Sequence, residues 1–352
     1  PVEEHASLNR EMLQSKEKYI AKINEILNMI KEGELEQVNY TVPFKTDFSL
    51  DSYRYYEQLK QAQKSNYNAF MRIDQYDSLS ISPEKFFEIK KGIVSVKPMK
   101  GTVARGLTFE EDQERAIFLQ QSEKNKAENK LTVELMESEL KKVASDVTIY
   151  DRYQIERFPT VYQMTSSIKG KLKKSIDPVD VFIQLFPAGS ITGVAKDKAI
   201  EKIDELEPFS RGVYCGAIGY FTPEEEALFN VAIRTVAVDH HKKEAFYYAG
   251  GAITKDSIPE EEYDEVIAKT AVLDQSGKAF ELLETMLLEN GVIFLKESHL
   301  DRLKTSATYF NFSFPEKKLR SKLDQIKETY DKGKFRLRLL LNSQGDCKIE
   351  VA

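Results

Sequence analysis

The sequence predicts an α+β fold built on large antiparallel sheets, plus a smaller α/β lobe at the C-terminal end. Three observations carry this. Short alternating runs cluster between residues 68 and 105 and again between 213 and 249, apart from the helical runs, which argues against regular βαβ alternation. Charged segments with helical spacing stand between these groups. After Gln275-Ser276-Gly277-Lys278 the pattern changes, so residues 1–275 read as one domain and 276–352 as another.

Taken in order, residues 6–33 carry Ile20, Ile23, Ile26, Leu27 and Ile30 at helical spacing, and Gly33 is expected to end the helix. Val38, Tyr40 and Val42 alternate with Asn39 and Thr41 as in a strand, and a second helix follows near 52–65. Residues 68–105 read as a meander of short strands, and 108–145 as helical. Strands are expected again around 159–169, then helices near 178–185 and 196–206. Residues 213–221, 228–238 and 245–249 read as strands and 259–273 as a helix. In the tail, 280–287 and 292–295 with the helix after Ser298 form a short ββα unit.

Composition excludes several function classes. Lys and Arg number 51 against 57 Asp and Glu, without a long basic run, so nucleic acid is not an expected partner. No stretch of 18 apolar residues occurs and the first residues carry no basic or apolar signal, so neither a membrane span nor a targeting segment is expected. Cys215 and Cys347 lie far apart, which points to a reducing cytoplasm. The histidines are His5, His240, His241 and His299, leaving residues 6–239 without an imidazole and disfavouring Ser/His/Asp or Cys/His chemistry. Gly189 to Lys196 fails the spacing of a phosphate-binding loop. Acid–base work in the main body therefore falls to carboxylates, lysine and tyrosine, an oxygen-rich inventory that suits a hard cation such as Mg2+.

The segment Lys97-Pro98-Met99-Lys100-Gly101-Thr102 sets a lysine in a tight turn after an apolar strand, with Glu84 upstream in Ser82-Pro83-Glu84-Lys85-Phe86. A desolvated lysine is a nucleophile, and a nearby carboxyl group can trade protons with its substrate. Singly, each residue has a plain structural reading: Lys100 as a surface lysine, Glu84 as a solvated strand-entry acid, Glu265 and Lys269 as an exposed i,i+4 ion pair. Glu128, at the margin of a stripe formed by Leu131, Leu135 and Met136, and Arg234, after Val231-Ala232-Ile233, call for partners of opposite charge.

Together and in order, these motifs resemble the chorismate-utilising enzymes, and SPEKFFEI and KPMKGT resemble the SPERF and PIKGT motifs of the component I family of aminodeoxychorismate synthases. The resemblance runs from about Ile30 to Leu273, through Ala127-Glu128-Asn129, Phe186 to Gly193, Arg211 to Tyr220, Ala232 to Thr235 and Ala249 to Ile253. It implies Lys100 as nucleophile, Glu84 as proton donor, and Gln37, Thr192, Gly193, Tyr214, Arg234, Gly250, Gly251 and Lys269 as substrate-binding residues. Glu128 and Glu265 would hold Mg2+, with Glu262 auxiliary. The implied reaction converts chorismate and ammonia to 4-amino-4-deoxychorismate in 4-aminobenzoate and folate biosynthesis. No glutaminase signature occurs, so ammonia is expected from a glutamine amidotransferase subunit or from free ammonium.

Anthranilate synthases place alanine where this chain has Lys100, and isochorismate and salicylate synthases place a lysine where it has Gln37. Those activities, and a non-catalytic chorismate- or partner-binding module, are the alternatives. Departures from the family pattern are Val133 to Glu139 for VDLxRND, Gly193-Val194-Ala195-Lys196 for GAPK, Ala188 in PGGS and Gln163 for a histidine; activity is still expected, with its efficiency left open by these changes. The resemblance also implies a two-layer antiparallel sheet with helices on the outer faces; relatives carry a further amino-terminal section, so one wing of that sheet is expected to be shortened. The tail sequence ETMLLENGVIFLKESHLDRLKTSATYFNF resembles the opening of the aminodeoxychorismate lyase family, pyridoxal-phosphate enzymes of fold type IV. The match covers only their small lobe, which lacks the cofactor lysine, and implies no lyase chemistry.

Overall fold

The computed structural model describes residues 9–159, 161–274 and 280–352. These fall into two compact units, the first comprising 9–103, 119–158 and 162–274, the second chiefly 104–118 and 280–352. The expected boundary at 275/276 lies outside the described residues. The grouping of 104–118 with the tail has no signal in the sequence pattern.

In the first unit one six-stranded sheet runs, in spatial order, through Glu11–Met12, Val38–Asp47, Glu244–Ile253, Thr235–Asp239, Tyr76–Ser82 and Tyr67–Ile73, each pair antiparallel. Helices Lys16–Lys31, Ser52–Gln63 and Pro259–Thr270 share its core, which includes Tyr19, Ile23, Ile26, Val38, Leu59, Tyr247 and Val266. The first helix starts where the Ser15 side chain accepts from the Lys18 N–H and ends before Gly33 at φ 78°, a left-handed conformation that glycine adopts without strain. A second sheet orders Ala217–Phe221, Ala227–Val231, Lys85–Lys90, Ile93–Val96, Val161–Leu172 and Met99–Ala104, with Ala144–Arg157 also paired to Val161–Leu172. Helices Glu123–Val143 and Pro178–Leu185 bury Val133, Met136, Leu140 and Val181 with Phe86, Phe87 and Ile168 of that sheet.

The chain passes between these sheets at two adjacent points. Only Pro83 and Glu84 separate Tyr76–Ser82 in the first sheet from Lys85–Lys90 in the second. Ala232, Ile233 and Arg234 separate Ala227–Val231 in the second from Thr235–Asp239 in the first. The passages are tied together: Ser82 Oγ donates to Val231 O at 2.7 Å, Val231 N to Glu84 O at 3.1 Å, and Ile81 N to Arg234 O at 3.2 Å. The sequence predicts one strand over 228–238; the structure has two, broken where Arg234 takes φ 49°.

Other differences have similarly local causes. The helical region 108–145 divides at Ser122, whose side chain caps Glu123–Val143, and Leu131 of the expected stripe is 48% exposed. Ala144–Arg157 is a strand that the sequence does not announce. Asp146, Asp151 and Tyr153 adopt positive φ within it, its register shifts twice, and much of it is exposed, so no alternation develops.

The second unit holds a four-stranded sheet, ordered Val292–Ile293, Leu282–Glu289, Lys334–Leu341 and Cys347–Val351. Helices Lys296–Tyr309 and Glu316–Thr329 share its core of Leu288, Leu303, Leu319, Leu323, Leu337 and Leu339. The expected ββα unit is thus only its first half. Among the described residues no helix is long and apolar enough to cross a membrane.

Candidate active site

Lys100 lies on the strand Met99–Ala104, and its Nζ donates to the carbonyl of Ser190 at 3.1 Å. Burial pulls the amine below the usual lysine range and Lys269 pushes the same way, while Glu84, Glu128 and Glu265 oppose them. Glu84, at the first passage between sheets, is buried at 6% exposure. Burial pushes its carboxyl up to about 7, against the pull of the Ser190 hydroxyl and Lys100. That hydroxyl acts from nearby without closing a hydrogen bond of ordinary length. A lysine driven toward the neutral amine thus stands beside a carboxyl driven toward its acid form, the protonation states that nucleophilic attack and leaving-group protonation require.

Carboxylates from two helices reach the same region. Burial raises the Glu128 carboxyl, with Lys124 and Lys100 opposing the rise and Glu265 and Asp256 adding to it. Glu265 is drawn down by Lys269, its partner at 2.6 Å. Glu262 is turned to Ser257, accepting from its hydroxyl at 2.7 Å, and burial raises its carboxyl. Among the described residues no three His, Cys, Asp or Glu side chains converge to hold a metal ion. Glu265 acts on Glu128 by like-charge repulsion, and carboxylate oxygens are the donor type that Mg2+ commonly takes, beside water and substrate oxygens.

The remaining candidates line the strand Val38–Asp47 and its neighbours. Lys269 Nζ also donates to Gly250 O at 2.7 Å. A Cβ at Gly250 would lie 2.2 Å from Tyr40 O, and one at Gly193 2.3 Å from Gln37 O, so glycine is what lets the backbones approach. Gly251 lies under the Glu262 carboxylate, 3.0 Å from where its Cβ would stand. Thr192 O accepts from Asn39 N at 2.7 Å, and Gln37 is buried beside Gly193. Tyr214 stacks on Tyr248 at 5.4 Å, near the Thr41 hydroxyl, and burial pushes its own hydroxyl well above the usual range.

Arg234 does not join this group directly. Its Nη1 donates to Gln63 Oε1 at 2.7 Å, it meets no carboxylate among the described residues, and burial pulls its guanidinium below the usual range. Among the described residues Gln163, the counterpart of the family's histidine, reaches Thr102 Oγ1 at 3.5 Å, and its buried Oε1 meets no partner.

Three supporting residues carried no assigned role in the sequence. Asn39 Nδ2 donates to the same Ser190 carbonyl at 3.3 Å. Arg211 holds the buried Glu207 through two hydrogen bonds of 2.8 and 2.7 Å, and also donates to Asn39 O and Ile191 O. Glu207 Oε1 in turn accepts from Thr41 N at 2.9 Å. Arg211 opens the run before Tyr214, and that adjacency was the available signal.

The profile of the family described as chorismate binding enzyme matches residues 1–275. The chain belongs to the chorismate binding enzymes. Beyond this region, the profile of the amino-transferase class IV family matches residues 281–349. Among curated chorismate-utilising relatives, the chloroplastic aminodeoxychorismate synthase of Arabidopsis thaliana is 38% identical over 262 residues, covering 73% of this chain and 28% of the plant protein. Aminodeoxychorismate synthase component 1 of Escherichia coli K12 is 35% identical over 257 residues, 72% of this chain and 56% of that protein. The chain thus spans about half or less of the length of these relatives. In structure it is similar to anthranilate synthase component I from Streptococcus pneumoniae, with a TM-score of 0.71 at 28% identity, over 77% of this chain and 60% of the other.

Proposed function

We propose that this chorismate binding enzyme converts chorismate and ammonia to 4-amino-4-deoxychorismate through a covalent adduct on Lys100. The observation that carries the reading is the paired environment of Lys100 and Glu84, in which burial favours the neutral amine and the protonated carboxyl. Attack of Lys100 Nζ on C2 forms a C–N bond, shifts the ring π electrons and expels the C4 hydroxyl, which leaves as water with the proton of Glu84. Ammonia then adds at C4, the electrons return, the bond from Lys100 to C2 breaks, and Glu84 recovers a proton. The net change exchanges one hydroxyl for one amino group and releases water.

Arg234, which meets the Gln63 amide and no carboxylate among the described residues, supplies a planar fork for one substrate carboxylate. Tyr214, Thr192, Gln37, Lys269 and the backbone N–H groups bared by Gly193, Gly250 and Gly251 supply further contacts. Glu128 and Glu265 would hold Mg2+, with Glu262, engaged by Ser257, as an auxiliary carboxylate. When bound, the ion neutralises the other substrate carboxylate. A separate glutamine amidotransferase subunit supplies ammonia, and the two free, buried cysteines suit a reducing cytoplasm. The test is turnover of chorismate with ammonium and Mg2+, with the product identified by chromatography and mass. Formation of 4-amino-4-deoxychorismate is expected; anthranilate, isochorismate or unchanged chorismate as the only outcome would overturn the reading.

A further inference from the structure

We infer that the side-chain oxygens of Asn39 and Ser190 form the seat of the second nucleophile, holding ammonium beside Lys100 and Glu84; the inference rests on the reaction proposed above. Asn39 Oδ1 and Ser190 Oγ are both buried and meet no partner among the described residues. Ser190 as a whole is 4% exposed, and a buried polar atom is costly until a donor or acceptor meets it. The two atoms belong to one neighbourhood. Asn39 Nδ2 donates to Ser190 O at 3.3 Å, and Lys100 Nζ donates to the same carbonyl at 3.1 Å. The Ser190 hydroxyl also acts on the Glu84 carboxyl, so the seat adjoins both the group that attacks C2 and the group that releases the C4 hydroxyl.

The chemistry of these atoms selects the occupant. An amide oxygen only accepts, and a serine hydroxyl whose proton is turned to Glu84 offers its lone pairs. Ammonium is the matching ligand, a compact cation that only donates, whereas water must find donors as well as acceptors. Ammonium in this seat also closes the proton account of the reaction. Once the C4 hydroxyl has left as water with its proton, Glu84 is a carboxylate and the adduct nitrogen of Lys100 bears the positive charge. Ammonium passes one proton through the Ser190 hydroxyl to Glu84 and becomes ammonia with a free electron pair. That pair forms the C4–N bond as the C2–Nζ bond breaks, the breaking pair returns to Lys100 as the neutral amine, and the new amino group leaves in its ammonium form. Glu84 is again the acid and Lys100 again the free base, so no outside base is required.

The test is Ser190→Ala in the full chain, which removes Oγ and keeps the carbonyl that holds Lys100. KM for ammonium should rise roughly tenfold or more, as for a lost hydrogen bond to a charged group, with KM for chorismate changed less than about threefold. The Lys100 adduct formed from chorismate without ammonium, followed by intact mass, should appear within about threefold of the parental rate. Asn39→Ala and Asn39→Asp both lose the amide donor to Ser190 O, but only Asn39→Ala loses the acceptor, so only it should raise the ammonium KM. A parental ammonium KM in Ser190→Ala overturns the seat, as do equal rises in the two Asn39 variants. So does adduct formation slowed as much as turnover, which assigns the hydroxyl to the first step alone. If the parent protein does not turn over chorismate, the proposed function fails on its own. Broadening of the nitrogen resonance of isotopically labelled ammonium by the parent, lost in Ser190→Ala, then supports the seat, and equal or absent broadening overturns it.

Discussion

Lys100 and Asn39 donate to the same oxygen, the carbonyl of Ser190, at 3.1 and 3.3 Å. A neutral lysine that gives one N–H to a fixed backbone acceptor keeps its lone pair free and directed, the condition an attacking amine needs. Asn39, pinned by its own backbone bond to Thr192 O, keeps the acceptor in place.

Lys100→Ala is expected to abolish formation of 4-amino-4-deoxychorismate, since the covalent route loses its nucleophile. Some anthranilate is expected instead, because alanine at this point is the anthranilate synthase form of the motif. Chromatography of reaction mixtures with ammonium checks both. In the parent, trapping with a chorismate analogue should add mass to the peptide containing Lys100 and to no other lysine peptide.

The pH dependence follows from two opposed requirements. Activity needs Lys100 neutral and Glu84 protonated at once, so raising the pH fills the first state and empties the second. The profile of kcat/KM should be bell-shaped with one limb near pH 7, the apparent values belonging to the pair rather than to either residue. The residual activity of Glu84→Gln should lose that limb; an unaltered bell in this variant contradicts the assignment.

Chelation of Mg2+ should eliminate turnover. Glu128→Gln and Glu265→Gln should each raise the Mg2+ concentration for half-maximal activity by tenfold or more, taking about 1.4 kcal/mol as the least cost of a lost charged ligand. Glu262→Gln should do less, because its carboxylate is already engaged by Ser257. Mg2+ titrations of the three variants beside the parent measure the order directly.

Arg211→Ala leaves Glu207 buried without its counter-ion and should destabilise the first unit by about 3–5 kcal/mol, read from urea midpoints. Burial already raises the Glu207 carboxyl, and Arg211 is the main force holding it down. Removing Arg211 therefore frees that carboxyl to take a proton as the pH falls, so the variant's deficit should shrink toward acid pH. A deficit that stays constant with pH would mean that packing, not the buried charge, dominates.

The parts of the site legible in the sequence are those whose signal is local. Glu84 and Lys100 stand in short motifs with their own turn residues, whereas the close backbone approaches at Gly193 and Gly250 emerge only once the neighbouring strands are in place. Ser190 contributes a carbonyl, which no side-chain code reports. Arg234 follows apolar residues that read as an unbroken strand, so its left-handed turn was hidden. Ala144–Arg157 lacked alternation because three positive φ angles reset its facing. In the tail, Leu337, Leu339 and Leu341 did alternate with polar or half-buried neighbours, and the missed strand there was within reach of the period-two rule.

The two side-by-side passages between the sheets act as a stitched seam. Two strands change layer there, and hydrogen bonds from Ser82, Val231 and Ile81 bind one thread to the other. The layers therefore cannot part like the covers of a book along that line without tearing covalent neighbours out of register. Glu84 is sewn into that seam by its own N–H and carbonyl, which meet Ser82 Oγ and Val231 N, and so is held at a fixed place between the two layers.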